Sequence, residues 1–406
     1  AGGRMALDAA APAPAAVPPR AFHGEPCPLV LVGAWQLSTG HSAQADEQGQ
    51  AASVAALRAH AEAGLGCFDC ADIYTGVEEL LGELRKELPG IRVHTKCVPD
   101  LDAILAGRVT REYLEAGVTR SLNRLGADAL DLVQLHWWDY GAAGLEEAYA
   151  QLAALAAAGL VRAVGLTNTD LPHLRKLVEA GFSVASNQVQ LSLLDRRPLD
   201  SGMVAFCEEH GIELLCYGAL AGGFLTDAWL GKEDPGFQDL ENRSLTKYRL
   251  IVEEFGGWGE LQRLLGCLAA VAQRRGTDVA SVAMGWVLRQ GPTRVILGTR
   301  GAAHAQAAAA IAALALSAAD MAELDALVQG RGIGGEVFGA ERAGGRHTGP
   351  MRRNLNGVGG AEHSAECGRR LAAAGAQPAP QLLREAELLR ALGAPGAPEA
   401  GAGVSA

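Results

Sequence analysis

The run GCFDCADIYTG (66–76) contains side chains for two different kinds of chemistry. Cys67 and Cys70 have the C-x-x-C spacing of redox and metal sites, whereas Asp69 and Tyr74 are a carboxylate and a phenol that can take part in proton transfer. The apolar lead into Asp69 predicts a short β-strand. Residues three apart in a strand face opposite sides, so the two cysteines cannot bind one metal ion there. No metal site is predicted, and the stretch is interpreted as half of an acid–base site.

Later apolar runs also end in polar or ionisable side chains. IRVHTK ends in Lys96, and LDLVQLHW delivers His136 immediately before Trp137 and Trp138. The same position in the remaining runs is occupied by Thr167, Asn168, Gln188, Tyr217 and Arg300. If the strands are parallel, their carboxyl ends meet at one edge, and these side chains lie together.

The elements that position these side chains alternate along the chain. Short β-rich runs occur at 28–35, 67–72, 91–96, 130–137, 161–168, 184–191, 212–218 and 294–300. Between them are stretches of helical period, such as the stripe of Leu114, Val118, Leu122 and Leu125, with Thr110 as a fitting N-cap. Alternating strands and helices indicate a parallel sheet with right-handed crossovers. Eight strands favour a closed (β/α)8 TIM barrel.

An open doubly wound α/β sheet is the competing fold. Such a sheet requires a glycine-rich phosphate-binding turn directly after its first strand. GRGIGG (330–335) matches the G-x-G-x-x-G pattern, but it follows a helical pattern and leads into none. We interpret it as a chance match in a glycine-rich tail, and the barrel remains the prediction.

Composition narrows the function classes. The chain of 406 residues has a net charge of −11 and is 49% apolar, which suits a large core and argues against a nucleic-acid binder. No apolar run approaches the roughly 18 uncharged residues of a membrane span. The 8 cysteines are scattered through apolar segments and are expected to be reduced thiols of an intracellular protein.

Both ends differ in composition from the middle. Residues 1–27 are rich in Ala and Pro and are expected to be disordered or a remnant of a transit peptide. Residues 28–330 are the predicted barrel, and residues 331–406 form an extension expected to be largely flexible.

The motifs FDCADIY, VHTK and LVQLHWW resemble those of the aldo-keto reductases, a family of NADP-dependent (β/α)8 oxidoreductases. The resemblance covers about residues 28–328 and implies a catalytic tetrad of Asp69, Tyr74, Lys96 and His136. In that arrangement Tyr74 donates a proton to the reduced carbonyl, and the Lys96 ammonium lowers the pKa of the phenol. Asp69 anchors Lys96, and His136 orients the carbonyl oxygen.

The resemblance also implies a cofactor site. Thr167, Asn168 and Gln188 would hold the nicotinamide carboxamide, and Tyr217 would stack on the ring. The further positions predicted to contact the cofactor are Gly33, Ala34, Gly218, Leu220, Gly298, Thr299, Arg300 and His304. Ala307 and Ala308 replace the family's Glu and Asn at the adenine end. NADP is therefore the predicted cofactor, with NAD still possible.

The substrate prediction is a small aldehyde or ketone with an apolar body, bound beside Trp35, Trp137 and Trp138. The segment 226–258 is expected to be either a lid over the cofactor or a partly helical surface excursion. The alternative function is a catalytically idle barrel that serves as an assembly subunit through its tail, which could contact a protein partner. Plant-type relatives are often plastid proteins, so a chloroplast location is expected, with the cytoplasm as the alternative.

Overall fold

The structure is a computed structural model that describes residues 20–38, 43–237, 240, 243–299, 301–342 and 345–347. All of these belong to one compact unit, Ala1–Thr348; Gly349–Ala406 form a second unit, which lies outside the described residues.

Eight parallel strands close into a barrel, in the order β10-β3-β4-β5-β6-β7-β8-β9. The strands are β1 Ala21–Phe22, β2 Glu25–Pro26, β3 Val30–Gly33, β4 Cys67–Asp69, β5 Arg92–Cys97, β6 Leu132–His136, β7 Val164–Thr167, β8 Ser186–Gln190, β9 Glu213–Tyr217 and β10 Thr293–Gly298. Each barrel strand matches one of the eight predicted runs to within one residue beyond its ends, and the (β/α)8 prediction is confirmed.

Helices follow the strands and cover the outside of the barrel. In the described residues they are α1 Ala43–Glu62, α2 Val77–Glu87, α3 Leu101–Leu105, α4 Arg111–Leu125, α5 Leu145–Ala157, α6 Leu171–Glu179, α7 Arg197–Asp200, α8 Met203–Glu209, α9 Arg243–Phe255, α10 Trp258–Arg275, α11 Val279–Val287, α12 Ala305–Ala310 and α13 Ala318–Val328, with 3-10 turns at Trp35–Leu37, Ala221–Gly223, Asp227–Trp229, Ala302–His304 and Ile311–Ala313. Thr110 caps α4 as predicted, since its hydroxyl accepts the backbone N–H of Tyr113. Among the described helices, no single one is long and apolar enough to cross a membrane, and only the bent pair Ala302–Ala313 and Ala318–Val328 has the length and composition when taken together.

Strand pairing determines which side chains share a level inside the barrel. In the register of β4 and β5, Cys67 lies opposite Arg92 and Asp69 opposite His94. Because side chains alternate along a strand, Cys67 and Asp69 share one face of β4, and His94 and Lys96 share one face of β5. Both pairs face the barrel interior, with Asp69 and Lys96 towards the carboxyl ends of the strands.

The amino-terminal prediction is wrong for residues 20–27. β1 and β2 form a short antiparallel hairpin, and Phe22 is buried in the same apolar cluster as Cys27 and Cys67. The buried guanidinium of Arg294 holds the hairpin, because it donates to the backbone oxygens of Cys27 and Ala21 at 2.8 and 3.2 Å. The hairpin therefore closes the amino-terminal end of the barrel. Residues 1–19 of the predicted disordered segment lie outside the described residues.

The boundary placed at residue 330 is also wrong. Ile333, Val337 and Ala340 are each 2% exposed and belong to the main hydrophobic core. These residues fold back over the carboxyl ends of the strands, and the part of the predicted flexible extension beyond residue 347 lies outside the described residues.

The long insertion after β9 is built around α9. Tyr248, Ile251 and Val252 of this helix are buried, and a Cβ atom at Gly218 or Gly222 would overlap the Tyr248 ring. The helix is packed into the core, so the structure favours a fixed helical cover over a loose lid.

Candidate active site

A buried ion pair lies at the carboxyl end of the barrel interior. The Lys96 ammonium donates to Asp69 Oδ1 at 2.6 Å and to the Cys70 carbonyl oxygen at 2.8 Å. Burial alone would lower the pKa of Lys96, but the Asp69 carboxylate holds it above its usual value. Lys96 is therefore a permanent cation at neutral pH, as the sequence predicts.

Two glutamines fix the other oxygen of Asp69. Gln188 Nε2 donates to Asp69 Oδ2 at 2.6 Å and Gln134 Nε2 does so at 3.2 Å, while Gln188 also donates to Gln134 Oε1 at 3.0 Å. Gln188 was predicted to hold a carboxamide, but here its amide protons are used within the protein. Gln134 was not predicted; its position two residues before His136 in β6 is the signal that could have identified it.

Tyr74 lies beside this ion pair. The Lys96 ammonium is 5.2 Å from the ring centroid and close enough to the phenol for a hydrogen bond. Burial raises the pKa of Tyr74 above its usual value of 10.0, and the attraction of Lys96 offsets this only in part. The expectation of a pKa lowered below that of a free phenol is wrong for this structure, because removal from water disfavours the phenolate more than one cation favours it. Tyr74 is protonated at neutral pH and can donate.

The imidazole of His136 lies at the same rim, which is the carboxyl end of the barrel, and is available to bind a ligand. Its side chain is 3% exposed, and neither ring nitrogen makes a hydrogen bond of normal geometry with the described residues, although the Thr167 backbone lies close by. Burial lowers the pKa of His136 to about 4, so the ring is neutral at pH 7. Trp138 stands edge-on to the ring, with centroids 4.2 Å apart, and Phe338 contacts it at 5.8 Å.

The residues predicted for the nicotinamide lie at the ends of β7 to β9. Tyr217 donates its hydroxyl to Asn168 Oδ1 at 2.8 Å, which places both side chains at one point of the rim. Asn168 has a positive φ of 56°, a conformation that asparagine tolerates better than most residues. The buried hydroxyl of Thr167 has no hydrogen-bond partner among the described residues. This group fits a polar ligand that approaches from the rim.

The remaining predicted cofactor positions are less informative. Ala34 is buried, Leu220 is half-buried, and the Thr299 hydroxyl donates to the Gly301 carbonyl oxygen at 3.0 Å. Packing alone accounts for glycine at two of these positions, because a Cβ atom at Gly33 would overlap Ile296 and one at Gly298 would overlap Gln36. His304 is exposed, and Arg300 lies outside the described residues.

The three tryptophans predicted for the substrate pocket differ in burial and in their contacts. Trp137 is 2% exposed, packs against Gly144 and donates to the Ala142 carbonyl oxygen at 3.3 Å, so its place in the substrate pocket stays a prediction. Its side chain faces away from His136, as expected for neighbours in an extended segment. Trp138 is half-buried against His136, and Trp35 is 41% exposed beside the first strand of the barrel.

The carboxyl-terminal segment contributes side chains that sequence reasoning missed. Phe338 contacts His136, and Arg342 donates to the Asn168 carbonyl oxygen at 3.1 Å. The Arg342 guanidinium also lies 3.9 Å from the centroid of the Tyr140 ring. No motif in the sequence links residues 200 positions apart, so this contribution could not be read from spacing.

A buried charge cluster holds that segment in place. Arg197 forms paired hydrogen bonds with Asp195 on one side and with Glu341 on the other, at 2.6 and 2.9 Å for the Nη2 contacts. Burial alone would raise the pKa of Glu341, but hydrogen bonds from Arg197 and the charge of Lys247 lower it to about 2. The Lys247 ammonium lies 5.1 Å from the Tyr217 ring, which connects the cluster to the rim.

Comparisons with known proteins agree with this geometry. The sequence model described as "Aldo/keto reductase family" matches residues 29–329. The chain is 33% identical over 274 residues to the chloroplastic pyridoxal reductase of Arabidopsis thaliana, covering 64% of this chain and 71% of that protein. It is 28% identical over 260 residues to flagellar radial spoke protein 5 of Chlamydomonas reinhardtii, covering 54% and 49% of the two.

Among solved structures, an aldo-keto reductase from Klebsiella pneumoniae in complex with NADPH superimposes with a TM-score of 0.58 at 25% identity, covering 78% of this chain and 95% of that one. The family match spans well over half of the sequence and includes all eight strands of the barrel. The chain belongs to the aldo/keto reductase family.

Proposed function

We propose that this protein reduces a small aldehyde or ketone to an alcohol with NADPH as the hydride donor. The observation that carries the proposal is the buried Lys96–Asp69 pair beside the protonated phenol of Tyr74, with the uncommitted imidazole of His136 at the same rim. An acid, a cation to stabilise its conjugate base, and a neutral hydrogen-bond donor are what carbonyl reduction requires of a protein.

The rim residues fit a nicotinamide cofactor. The unpartnered Thr167 hydroxyl and the Asn168–Tyr217 pair offer polar contacts for a carboxamide beside an aromatic ring on which a flat heterocycle can stack. The NADPH bound by the Klebsiella relative supports the same cofactor here. When bound, the cofactor would supply a hydride to the carbonyl carbon.

The protein's own residues would manage the proton. The His136 imidazole, neutral at pH 7, donates one N–H to the carbonyl oxygen and fixes its direction. Tyr74 transfers its phenolic proton to that oxygen as negative charge develops there, and the phenolate that remains lies beside the Lys96 ammonium. Asp69 and its two glutamines keep the ammonium in place, so the charge is positioned before the reaction begins.

Substitution of Tyr74 by Phe tests this assignment. Tyr74→Phe keeps the ring and removes the proton, so turnover of a model aldehyde should fall by a factor of about 10²–10⁴. Affinity for NADPH, measured by fluorescence titration, should stay within about twofold, since the proposed nicotinamide contacts come from other strands. Tyr113→Phe, which removes a phenol on α4 that hydrogen-bonds to Asp100 and not to the Lys96–Asp69 pair, is the matched control and should leave turnover unchanged. Reduction by Tyr74→Phe at the parent rate would refute the assignment.

A second candidate is a structural role. The chain is also similar to a flagellar radial spoke protein, and the folded carboxyl-terminal segment could present a docking surface. An assembly subunit predicts no aldehyde reduction in the parent and no NADPH binding at micromolar concentration. The titration described above separates the two functions directly.

The similarity to a chloroplastic enzyme supports a chloroplast location for this protein. A fusion of the full chain to a fluorescent protein tests it, and diffuse cytoplasmic fluorescence would contradict it.

A further inference from the structure

A second group of reactive side chains lies beneath the proposed active site. Cys67 and His94 precede Asp69 and Lys96 by two residues on β4 and β5, so they face the same interior one layer closer to the amino-terminal end. Cys27, which directly follows the hairpin, completes the group from below.

The three side chains are arranged as a ligand set. One Cys or His donor atom from each lies within 4.8 Å of the other two, and Cys67 Sγ is 3.4 Å from His94 Nε2. A sulfur and a nitrogen bound to the same zinc-like ion at normal bond lengths are separated by about 3.6 Å. The two thiols are also close enough to hydrogen-bond. The separation of the Cys67 and His94 donor atoms is therefore close to that of two ligands of one ion, and the Cys27 sulfur lies within 4.8 Å of both.

The surroundings are closed and dry. Cys27, Cys67 and His94 are 8%, 0% and 1% exposed, within an apolar cluster that includes Leu31 and Leu132. His94 Nδ1 is buried without a hydrogen-bond partner among the described residues. Structural zinc sites almost always have four protein ligands. The described residues supply three here, and a three-coordinate environment suits Cu(I).

The charges around the three side chains also favour a monovalent ion. The guanidinium groups of Arg20 and Arg294 share the single carboxylate of Glu213, at 3.5 and 3.3 Å, which leaves one positive charge beside the group. Of the other charged side chains near His94, Arg92 pairs with Glu25, Lys96 pairs with Asp69, and Asp131 pairs with Arg85 and with the exposed Arg162. Two thiolates with a monovalent ion carry one net negative charge, which would neutralise the excess positive charge of the two arginines. With a divalent ion the group would be neutral, and that positive charge would remain buried without compensation.

We propose that Cys27, Cys67 and His94 bind one thiophilic d¹⁰ metal ion, with Cu(I) as the preferred ion, at the amino-terminal end of the barrel. Soft thiolate ligands select Cu(I) and zinc over harder ions. Binding converts two thiols to thiolates, releases their two protons and leaves the imidazole neutral; no electrons are exchanged. The ion would also join the hairpin to the barrel, because Cys27 and the two strand residues would share it.

Anaerobic titration of the full-length, reduced protein with Cu(I), in competition with the chromophoric chelator bicinchoninate, tests the site. The parent should take up one equivalent, and its melting temperature should rise, because an ion that binds only the folded state stabilises it. The double variant Cys27→Ser/Cys67→Ser should lose this equivalent. His94→Gln, a milder change, should weaken binding by at least tenfold, so the proposal stays testable if the double variant fails to fold.

Cys267→Ser is the matched control, because Cys267 is a half-buried thiol on α10 outside the group. It should keep the bound equivalent. Uptake that survives in Cys27→Ser/Cys67→Ser but disappears in Cys267→Ser would overturn the proposal. A parent that binds no Cu(I), that binds zinc in preference to Cu(I), or that carries a Cys27–Cys67 disulfide that reductant cannot open would also overturn it.

Discussion

The two ends of the barrel interior are built on the same two strands, yet they hold opposite kinds of chemistry. At the carboxyl end, Asp69 and Lys96 form a charged pair with further hydrogen bonds to each partner. Two residues earlier, Cys67 and His94 form an uncharged contact in an apolar cluster. Burial lowers the pKa of His94 to about 3, so the ring is neutral at any physiological pH.

The difference follows from what closes each end. Loops and side chains from β6 and β8 surround the upper pair with polar atoms, which satisfy buried charges. At the lower end, Phe22 and other apolar side chains surround His94, and the nearby Arg294 guanidinium also disfavours its protonated form. A fixed cation is useful beside a developing alkoxide, whereas a dry group of neutral soft donors is useful for holding a metal ion.

The largest effect is expected from breaking the upper pair. Lys96→Met leaves the Asp69 carboxylate buried without its cation, which should lower the free energy of unfolding by about 3–5 kcal/mol and also slow turnover. Adding Asp69→Asn in the double variant should restore at least half of the lost stability, because no uncompensated charge remains. Urea unfolding of the four proteins in the cycle measures this.

Lys86→Met is the matched control for that cycle, since Lys86 pairs with Glu83 at 2.6 Å on the surface. Exposed pairs contribute little, so this change should alter stability by less than about 1 kcal/mol. Equal losses of unfolding free energy for Lys96→Met and Lys86→Met would show that the Lys96–Asp69 pair contributes no more to stability than an exposed ion pair.

A smaller effect is expected at the lower end, and it should depend on pH. The unfolded chain takes up a proton at His94 below its usual pKa of 6.5, but the folded protein cannot do so until the pH reaches about 3. Stability is therefore lost as the pH falls through this range. In metal-free protein, His94→Leu removes that loss. When the pH falls from 7.5 to 4.5, the free energy of unfolding of the variant should therefore increase by about 3 kcal/mol relative to that of the parent.

Unfolding in urea at the two pH values measures this difference. His210→Leu, at an exposed histidine beside Phe206, is the control; it keeps His94 and should lose stability in parallel with the parent on acidification. If His94→Leu and the parent lose stability in parallel on acidification, burial does not keep the His94 imidazole neutral in the folded protein.

A third effect concerns a buried, incompletely hydrogen-bonded carboxyl group beside the upper pair. Asp72 accepts the Val98 backbone N–H at 3.3 Å, but its other oxygen is buried without a partner among the described residues. Burial raises the pKa of Asp72 to about 7. The folded protein thus holds a proton there that the unfolded chain releases above its usual pKa of 3.8, and stability falls as the pH rises from that value towards 7.

Asp72→Asn should therefore stabilise the protein at pH 8 by about 4 kcal/mol, since a rise in pKa from 3.8 to about 7 corresponds to roughly that free energy, and have little effect near pH 4. Thermal unfolding at the two pH values checks this, with Asp128→Asn at an exposed aspartate as the control. A variant less stable than the parent at pH 8 would show that the ionised carboxylate is needed at this position.

The amino-acid sequence by itself determined the barrel and the positions of the upper pair. Eight β-rich runs alternating with helical stripes specify parallel strands, and residues at the ends of parallel strands necessarily meet at one rim. Asp69, Lys96 and His136 were found in this way, because their neighbours in space follow from local order along the chain. Local alternation also excluded a shared metal at Cys67 and Cys70.

Tertiary structure alone decided the rest, since it depends on contacts between distant parts of the chain. Alternation could not show that Cys67 meets Cys27 and His94, because the hairpin that brings Cys27 to the barrel is held by Arg294, 267 residues away from it. Nor could it show that Phe338 reaches His136, a contact that depends on the buried bridge between Arg197 and Glu341. The net pKa of Tyr74 was decided in the same way: the nearby cation is visible in the motif, but the depth of burial that outweighs it exists only once the chain has folded.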